Sequence, residues 1–539
     1  MSIQLDDLKN LTIPELFETI CKRNPDKQGL VFDEDIYTYR DFYKKVNTLA
    51  ASLINLGISK GDRVALMLPN CAEYIISYFA LFQIGAWPVP ISTRWEKDEI
   101  ANVLMDAQSC AVIFVERQGA LDYIDIVSYI QEKLPILKKL ILLNNPDKCK
   151  EIGAINFSEL LEWETDIEIT SDVQPDDVSM LSYTSGTTGN PKGVMLTHKN
   201  LVLISIYSAL EWKMTENDTP LSIAPLYSAQ GFLSVLLFLS SCGTVKYLTT
   251  FNPNMIIKAA SKGINTVMHT QPTMWSLILG TPAIRFSNFS SYNNVVVSGS
   301  VCSSELAKRI EETIKCPVYN AYGLIEATSV VTMTKPGDSE EIRLNTVGRP
   351  IPGVSIKIVD ENRCEIPKGE VGELAVKGYL MKGYLNNIEK TREVIDDDGW
   401  LYTGDLAKYY DDENISIVGR CKDMIIRGGF NIYPIDIEEV IMQHPDVYDV
   451  AVVGRDHDVV GEQTIAFVIP KPGKTLDKST ILKHCVGKIA NYKIPDDVIF
   501  ISQMPIILSG KVQKKLLKQW AQEGTPAEAL ILFNEDKGE

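Results

Sequence analysis

"YTSGTTGNPKG", residues 183–193, follows the apolar run "VSML" and leads into "VMLTHKNL". Three glycines, three threonines and one serine share these eleven residues with a single lysine, Lys192. Glycines at 186, 189 and 193 let the backbone approach a ligand and adopt positive φ, and Thr184, Ser185, Thr187 and Thr188 add hydroxyl donors. Such a loop has the chemistry to cradle a phosphate chain. It is not the Walker A form, because Lys192 stands three residues after Gly189 and precedes Gly193. On composition alone a solvated turn is an equal alternative, since Gly and Ser dominate turns anyway.

Outward from this loop, from about residue 62, short β-rich runs ("RVALML", "AVIFV", "KKLILL", "NTVMHT") alternate with segments of helical period. That is the rhythm of layered α/β architecture. Near residue 350 it gives way to "VSIKIV", "GELAVKG" and "ISIVGR", separated by turns, which predicts a small antiparallel or barrel-like β subdomain over about 345–420. After "GRCKD" a new β/α mixture begins, with a helix expected from Pro434 whose Ile437, Val440 and Ile441 share a face. A boundary at residues 420–422 follows, dividing the chain into an N-terminal domain, 1–420, and a C-terminal domain, 421–539, roughly a fifth of the length.

A chain of 539 residues exceeds what one hydrophobic core organises, in keeping with two or more domains. Its 70 acidic and 53 basic residues give a net charge of -17, which argues against a general nucleic-acid or anionic-membrane surface. The ten cysteines form no C-x-x-C pair, and the five histidines do not cluster with them at metal-ligand spacing, so neither a zinc site nor a disulfide framework is expected. The start, "MSIQLDDLKN", lacks a signal-peptide pattern, and the expected location is cytoplasmic. The most membrane-like segment, "YIISYFALFQIGAWPVPI", is cut by Gln83, Gly85, Pro88 and Pro90, and reads as a buried helix followed by a strand rather than a transmembrane segment.

"YTSGTTGNPKGVMLTHKNL" closely resembles the AMP-binding signature of the adenylate-forming superfamily, which comprises acyl-CoA and aryl-CoA ligases, adenylation domains and beetle luciferases. The resemblance runs through nearly the whole chain in order, by way of "LGISKGDRVALMLPN", "NAYGLIEAT", "GWLYTGDLA", "GRCKDMIIRGGFNIYPIDIEEVI" and "SGKVQKK". It implies an α/β fold, with a large N-terminal domain of several subdomains and a smaller, mobile α+β C-terminal domain. It also implies a reaction: a carboxylate attacks the α-phosphorus of ATP, pyrophosphate leaves, and a thiol takes the acyl group from the adenylate with release of AMP.

The same resemblance assigns roles. Thr184, Ser185, Gly186, Thr187, Thr188, Gly189 and Lys192 would close over the β and γ phosphates. Ser300, Asn320, Ala321, Tyr322 and Gly323 would border the nucleotide, with Tyr322 stacked on adenine. Glu326 would hold Mg²⁺, Asp405 would accept from the ribose hydroxyls with Arg420 assisting, and Lys511 would reach the developing charge at the α-phosphate. Thr184, Glu326 and Lys511 are thus the expected catalytic groups. The acyl pocket would draw on Tyr227, Ser228, Phe232, Gln271, Thr273, Ser298, Gly299 and Leu324, a mixed set that suits a small to medium acyl or aromatic acid. Lys422 would be the hinge, and Gly428 with Gly429 would line a channel for CoA, with a tight turn as the alternative.

Two positions depart from the family pattern: Ile325 stands where a threonine is usual, and Ser228 stands about where many relatives carry histidine. CoA is the expected acceptor because "IIRGGFNIYPIDIEE" resembles the CoA-ligase form and the chain ends soon after Lys511, leaving no room for a fused carrier domain. A stand-alone enzyme that loads a separate carrier protein is the alternative. More distant readings are a bioluminescent oxygenase and a nucleotide-binding regulator without turnover.

Overall fold

The computed structural model describes residues 10–163, 169, 171–184, 191–505 and 512–531. A nine-stranded sheet runs in the order Arg349–Pro350, Thr332–Met333, Val318–Tyr322, Asn294–Ser298, Val267–Thr270, Pro220–Ser222, Val245–Tyr247, Gln28–Phe32, Asp35–Thr38. Its central strands are parallel, and antiparallel partners close both edges. A second, five-stranded sheet is parallel throughout: Trp87–Pro90, Arg63–Met67, Ala111–Phe114, Lys139–Leu142, Ile155–Asn156. Parallel strands are covered on both faces, so they read as unbroken apolar runs, and "AVIF" is buried at every position.

The membrane-like segment is the helix Ala72–Gln83 followed by the strand Trp87–Pro90. Apart from Glu73 every residue of this helix is buried, which is why apolar side chains occur around nearly its whole circumference. It shares one core with Leu30 and Phe32 of the large sheet and Val64 and Leu66 of the smaller one. Among the described residues no helix is long and apolar enough to cross a membrane.

Beyond residue 350 a four-stranded antiparallel sheet, Ser355–Val359, Gly372–Lys377, Leu401–Tyr409, Ile415–Arg420, encloses its own small core. The last part of the chain has a separate sheet built on the long hairpin Val447–His457 and Gly461–Pro470. The helices Pro434–Met442, Lys478–Cys485 and Lys514–Glu523 accompany it. Ile437 and Ile441 are buried and Val440 is half-buried against the same core, the face expected from their spacing.

Two histidines make this fold acid-sensitive. His198 opens the helix His198–Glu211, is fully buried edge-on to Phe82, and has no partner for either ring nitrogen among the described residues. Burial pushes its pKa down to about 3, with Asp177 opposing and Lys60 adding to the shift. Burial alone takes His269 to about 4. Both stay neutral in the folded chain while the unfolded chain takes up protons below about pH 6.5. The unfolded state therefore binds more protons, and stability falls as pH drops from about 6.5 towards 4. At pH 5 each histidine costs about 2 kcal/mol relative to neutral pH. His198→Met should make the fall in thermal midpoint between pH 7 and pH 5 shallower by a corresponding amount; an identical pH profile in the variant would rule this out.

Candidate functional site

Four neighbouring parallel strands, Pro220–Ser222, Val267–Thr270, Asn294–Ser298 and Val318–Tyr322, end at the same edge. The carboxyl edge of an open parallel sheet is where α/β folds bind ligands, because the loops there diverge. Just past these ends lie Tyr227 and Ser228, Gln271 and Thr273, Ser298 to Ser300, and Tyr322 to Glu326. The topology thus gathers on one edge residues that are scattered over about a hundred positions in the sequence.

The Gly-Ser-Thr loop joins the antiparallel strands Val178–Thr184 and Lys192–Thr197, which pair Thr184 with Lys192 and Tyr183 with Gly193. Ser185, Gly186, Thr187, Thr188 and Gly189 lie outside the described residues. The base of the hairpin is anchored by the Tyr183 hydroxyl, which donates to Asp106 Oδ2 at 2.6 Å. A Cβ at Gly193 would come within 2.9 Å of the Tyr183 ring and press on the end of this anchored side chain. Strand Lys192–Thr197 also pairs with Gly383–Tyr384, and Tyr384 links two expected site residues. Its ring carries the Lys192 ammonium 4.9 Å from the centroid, and its hydroxyl donates to Glu326 Oε1 at 3.0 Å. Burial, then the charge of Glu326, raises the Tyr384 pKa, so the phenol remains a donor. No sequence signal marked Tyr384, because its partners are brought to it only by tertiary pairing.

Glu326 sits in the short 3-10 turn Ile325–Ala327. Thr328 and Ser329 follow with φ of 54° and 90°, and a Cβ on Gly323 would lie 1.3 Å from the Ser329 carbonyl oxygen. Ile325 packs its side chain against the main core. Among the described residues no three His, Cys, Asp or Glu side chains gather as a metal cage. Glu326 thus belongs to no three-residue cage among the described residues, and a single carboxylate of this kind fits a hard cation that brings water and phosphate oxygens as its other ligands.

Asp405 is 7% exposed and lies opposite Arg420 across the strand pair Leu401–Tyr409 and Ile415–Arg420. Its Oδ1 pairs with Arg420 Nε at 3.1 Å, and its Oδ2 accepts from the Tyr322 hydroxyl at 2.7 Å. Burial, then the Asp405 charge, holds the Tyr322 phenol far above its usual pKa. The Tyr322 ring is therefore fixed by its own hydroxyl. Asn320 is buried, and its amide donates to the carbonyls of Arg343 and Thr346 at 2.7 and 3.4 Å, so it braces the sheet edge. Ala321 is buried within its strand.

Among the residues expected to line the acyl pocket, Ser228 caps the helix Ala229–Ser240: it accepts from Gly231 N at 3.0 Å and donates to the Pro225 carbonyl at 2.7 Å. Both functions of its hydroxyl are used. Phe232, on the same helix, is 1% exposed and packs between Tyr78 and Phe82, which places it in the core rather than at an open rim. Tyr227, Gln271, Ser298 and Leu324 are half-buried, and Thr273, Gly299 and Ser300 are exposed. Two residues that sequence reasoning missed join this group: His269 Nε2 lies 2.7 Å from Ser298 Oγ, and Gln230 Oε1 accepts from Gln271 Nε2 at 3.1 Å.

Lys422 is exposed in the 3-10 turn Cys421–Asp423, directly after the strand that ends at Arg420. Gly428 and Gly429, with φ of 57° and 83°, form a two-residue hairpin loop between Ile425–Arg427 and Phe430–Ile432. Two successive left-handed residues are what a type I′ turn demands. Lys511 lies outside the described residues.

The AMP-binding enzyme family model matches residues 17–385, and the model for the AMP-binding enzyme C-terminal domain matches 436–511. The chain belongs to the AMP-binding enzyme family. It is 36% identical to YngI of Bacillus subtilis (strain 168), named as an acyl-CoA synthetase, over 95% of this chain and 97% of that protein. The mitochondrial medium-chain acyl-CoA ligase ACSF2 of Danio rerio is 29% identical over 95% of this chain and 88% of its own. Among solved structures, ATP-bound MatB from Rhodopseudomonas palustris superposes with a TM-score of 0.86 at 28% identity, covering 95% of this chain and all of that one. The fold is thus the α/β fold of these enzymes, with a large N-terminal and a smaller C-terminal domain, and the relatives are acid–CoA ligases.

Proposed function

We propose that this enzyme is an AMP-forming carboxylate–CoA ligase that works in two steps at one site. The observation that carries the reading is the convergence, around the strand end at Tyr322 to Glu326, of Lys192 at the base of the Gly-Ser-Thr hairpin, linked to the Glu326 carboxylate through Tyr384, and of the Tyr322–Asp405–Arg420 cluster. The first step must bring a carboxylate up to an anionic nucleotide, so the site must offset charge and hold both groups in line. Lys192 and the loop it closes would hold the phosphates. Glu326, oriented by Tyr384, would hold Mg²⁺, which screens phosphate charge when bound. Asp405 would accept from the ribose hydroxyls through lone pairs not used by Tyr322 and Arg420, while Lys511 would be delivered from the C-terminal domain. The division at residues 420–422, with Lys422 as hinge, belongs to this reading.

With Ser228 committed to its helix cap, the acid pocket is closed by other groups than a histidine there. A carrier-protein thiol remains the alternative acceptor. Carboxylate-dependent exchange of pyrophosphate into ATP tests the first step, and thioester formation with CoA the second. Exchange without any CoA ester would turn the reading to a carrier protein; absence of exchange with a broad acid panel would turn it to a regulator.

Asp405→Asn preserves the shape and the bond from Tyr322 but removes the charge and the oxygen that meets Arg420 Nε. It should weaken ATP binding by about 1 to 2 kcal/mol, the difference between charged and neutral hydrogen bonds. Titration calorimetry showing wild-type affinity would place the ribose elsewhere.

A further inference from the structure

The acid side of the site contains a chain of hydrogen bonds whose direction is set by a single helical serine. The Ser234 hydroxyl donates its one hydrogen to the Gln230 backbone carbonyl at 2.8 Å, the back-bond open to serine within a helix. Its oxygen can then only accept from His269 Nδ1, 3.1 Å away. With one proton on Nδ1, the neutral ring has an acceptor at Nε2, and Ser298 Oγ donates to it across 2.7 Å. Burial keeps His269 neutral near pH 7.

Gln230 lies 3.0 Å from Ser298 Oγ and 3.3 Å from His269 Nε2. It must turn its amide nitrogen to this pair, because its oxygen would face a nitrogen lone pair. Gln230 Oε1 is therefore presented to Gln271, which has to answer with an N–H, at 3.1 Å. The relay ends there. Gln271 is the N-cap residue of the helix Pro272–Leu279, yet its side chain makes no capping bond, and its Oε1 has no partner among the described residues. It is half-buried beside Gly299, where a Cβ would press on Gln230 Oε1 at 3.2 Å and on Gln271 Cγ at 3.3 Å.

We propose that Gln230 is a specificity-determining residue that holds Gln271 with its amide oxygen unpaired, so that the enzyme selects carboxylic acids whose tail carries a hydroxyl or other hydrogen-bond donor. This rests on the ligase reading given above, and it deepens that reading from "a small to medium acid" to an acid with a polar tail. An acid whose tail covers this half-buried oxygen takes it out of water, so an analogue without a donor leaves it unmet, a cost that discriminates far more than an apolar pocket does by size. Gln230 acts through Gln271, and Ser234 through the tautomer of His269.

The test uses sets of three matched acids on short alkanoic and benzoic skeletons: the plain acid, the hydroxy acid, and its methyl ether, which accepts but cannot donate. With ATP, Mg²⁺ and CoA, wild-type kcat/KM should favour the hydroxy acid over both others by about 10-fold or more in at least one set. Gln230→Leu should bring both ratios to about 1. Ser234→Ala frees the imidazole to take either tautomer, and should lower the hydroxy-to-ether ratio in particular, whereas Ser234→Thr keeps the hydroxyl and should retain it. Melting curves identify a misfolded variant, and the Ser234 pair decides if Gln230→Leu misfolds. Equal or better use of the plain acids by the wild type overturns the inference and leaves the ligase reading standing, as does a ratio that survives in both Gln230→Leu and Ser234→Ala. Pyrophosphate release with no acid at all overturns both.

Discussion

Gly323→Ala should abolish acid-dependent pyrophosphate release and lower stability by about 4 kcal/mol or more, the range reached when a side chain is forced into occupied space. The added Cβ would stand 1.3 Å from the Ser329 carbonyl oxygen and 2.4 Å from its carbon. Backbone, unlike the far end of a long side chain, cannot turn aside. Ser329 could yield only by unwinding the turn in which Thr328 and Ser329 both hold positive φ, and that turn carries Glu326. Gly428→Ala is the instructive comparison. There a Cβ meets nothing within 4 Å, and only the φ of 57° opposes it, at a cost of about 1 to 2 kcal/mol. The pair thus separates steric exclusion from backbone strain. Similar melting temperatures for the two variants, with Gly323→Ala still active, would mean that the strand end and the turn are not packed as described.

The β-rich runs of the sequence became strands where they were expected because parallel strands buried on both faces leave unbroken apolar runs. The change of rhythm near residue 350 likewise corresponds to the antiparallel sheet that begins at Ser355. Side-chain direction within apolar helices was not legible. "AQGFLSVLLFLS" carries a polar stripe at Gln230 and Ser234 but is apolar on its other faces, so nothing in it says that Phe232 turns to Tyr78 and Phe82. Ser228 and Asn320 were readable as polar groups near a ligand, but not as groups already occupied by a helix cap and by the backbone carbonyl of Arg343. Tyr384 and His269 escaped for the opposite reason. Each acts through residues distant in the chain, and a lone tyrosine after glycine, or a lone histidine in a strand, carries no spacing that could betray a partner.

Lys422→Pro should uncouple the two steps. It should leave a single-turnover burst of pyrophosphate and reduce thioester formation by about 100-fold or more, the scale on which small misplacements of reacting groups act. On the proposed two-step reading, one site would first hold Lys511 near the phosphates and then open a path for a thiol, and a single rigid arrangement would not serve both. Motion of this kind needs a few residues that absorb φ and ψ changes. The turn Cys421–Asp423 suits such motion, because the strand before it is held by the Asp405–Arg420 pair while Cys421 and Lys422 are exposed. The bond that closes the turn runs from Met424 N to the Arg420 carbonyl, so proline at 422 removes no donor from it. Proline would fix φ near -65° at 422 and disfavour helical geometry at Cys421, which the 3-10 turn uses. The substitution therefore reshapes and stiffens this exposed turn while the strand before it stays held by the Asp405–Arg420 pair, and Lys422→Ala, which leaves the turn free, should keep both steps. Normal steady-state production of CoA ester by Lys422→Pro would refute rotation at this residue. Loss of both steps together, in a variant that melts like the wild type, would place Lys422 in the adenylating site itself rather than at a hinge.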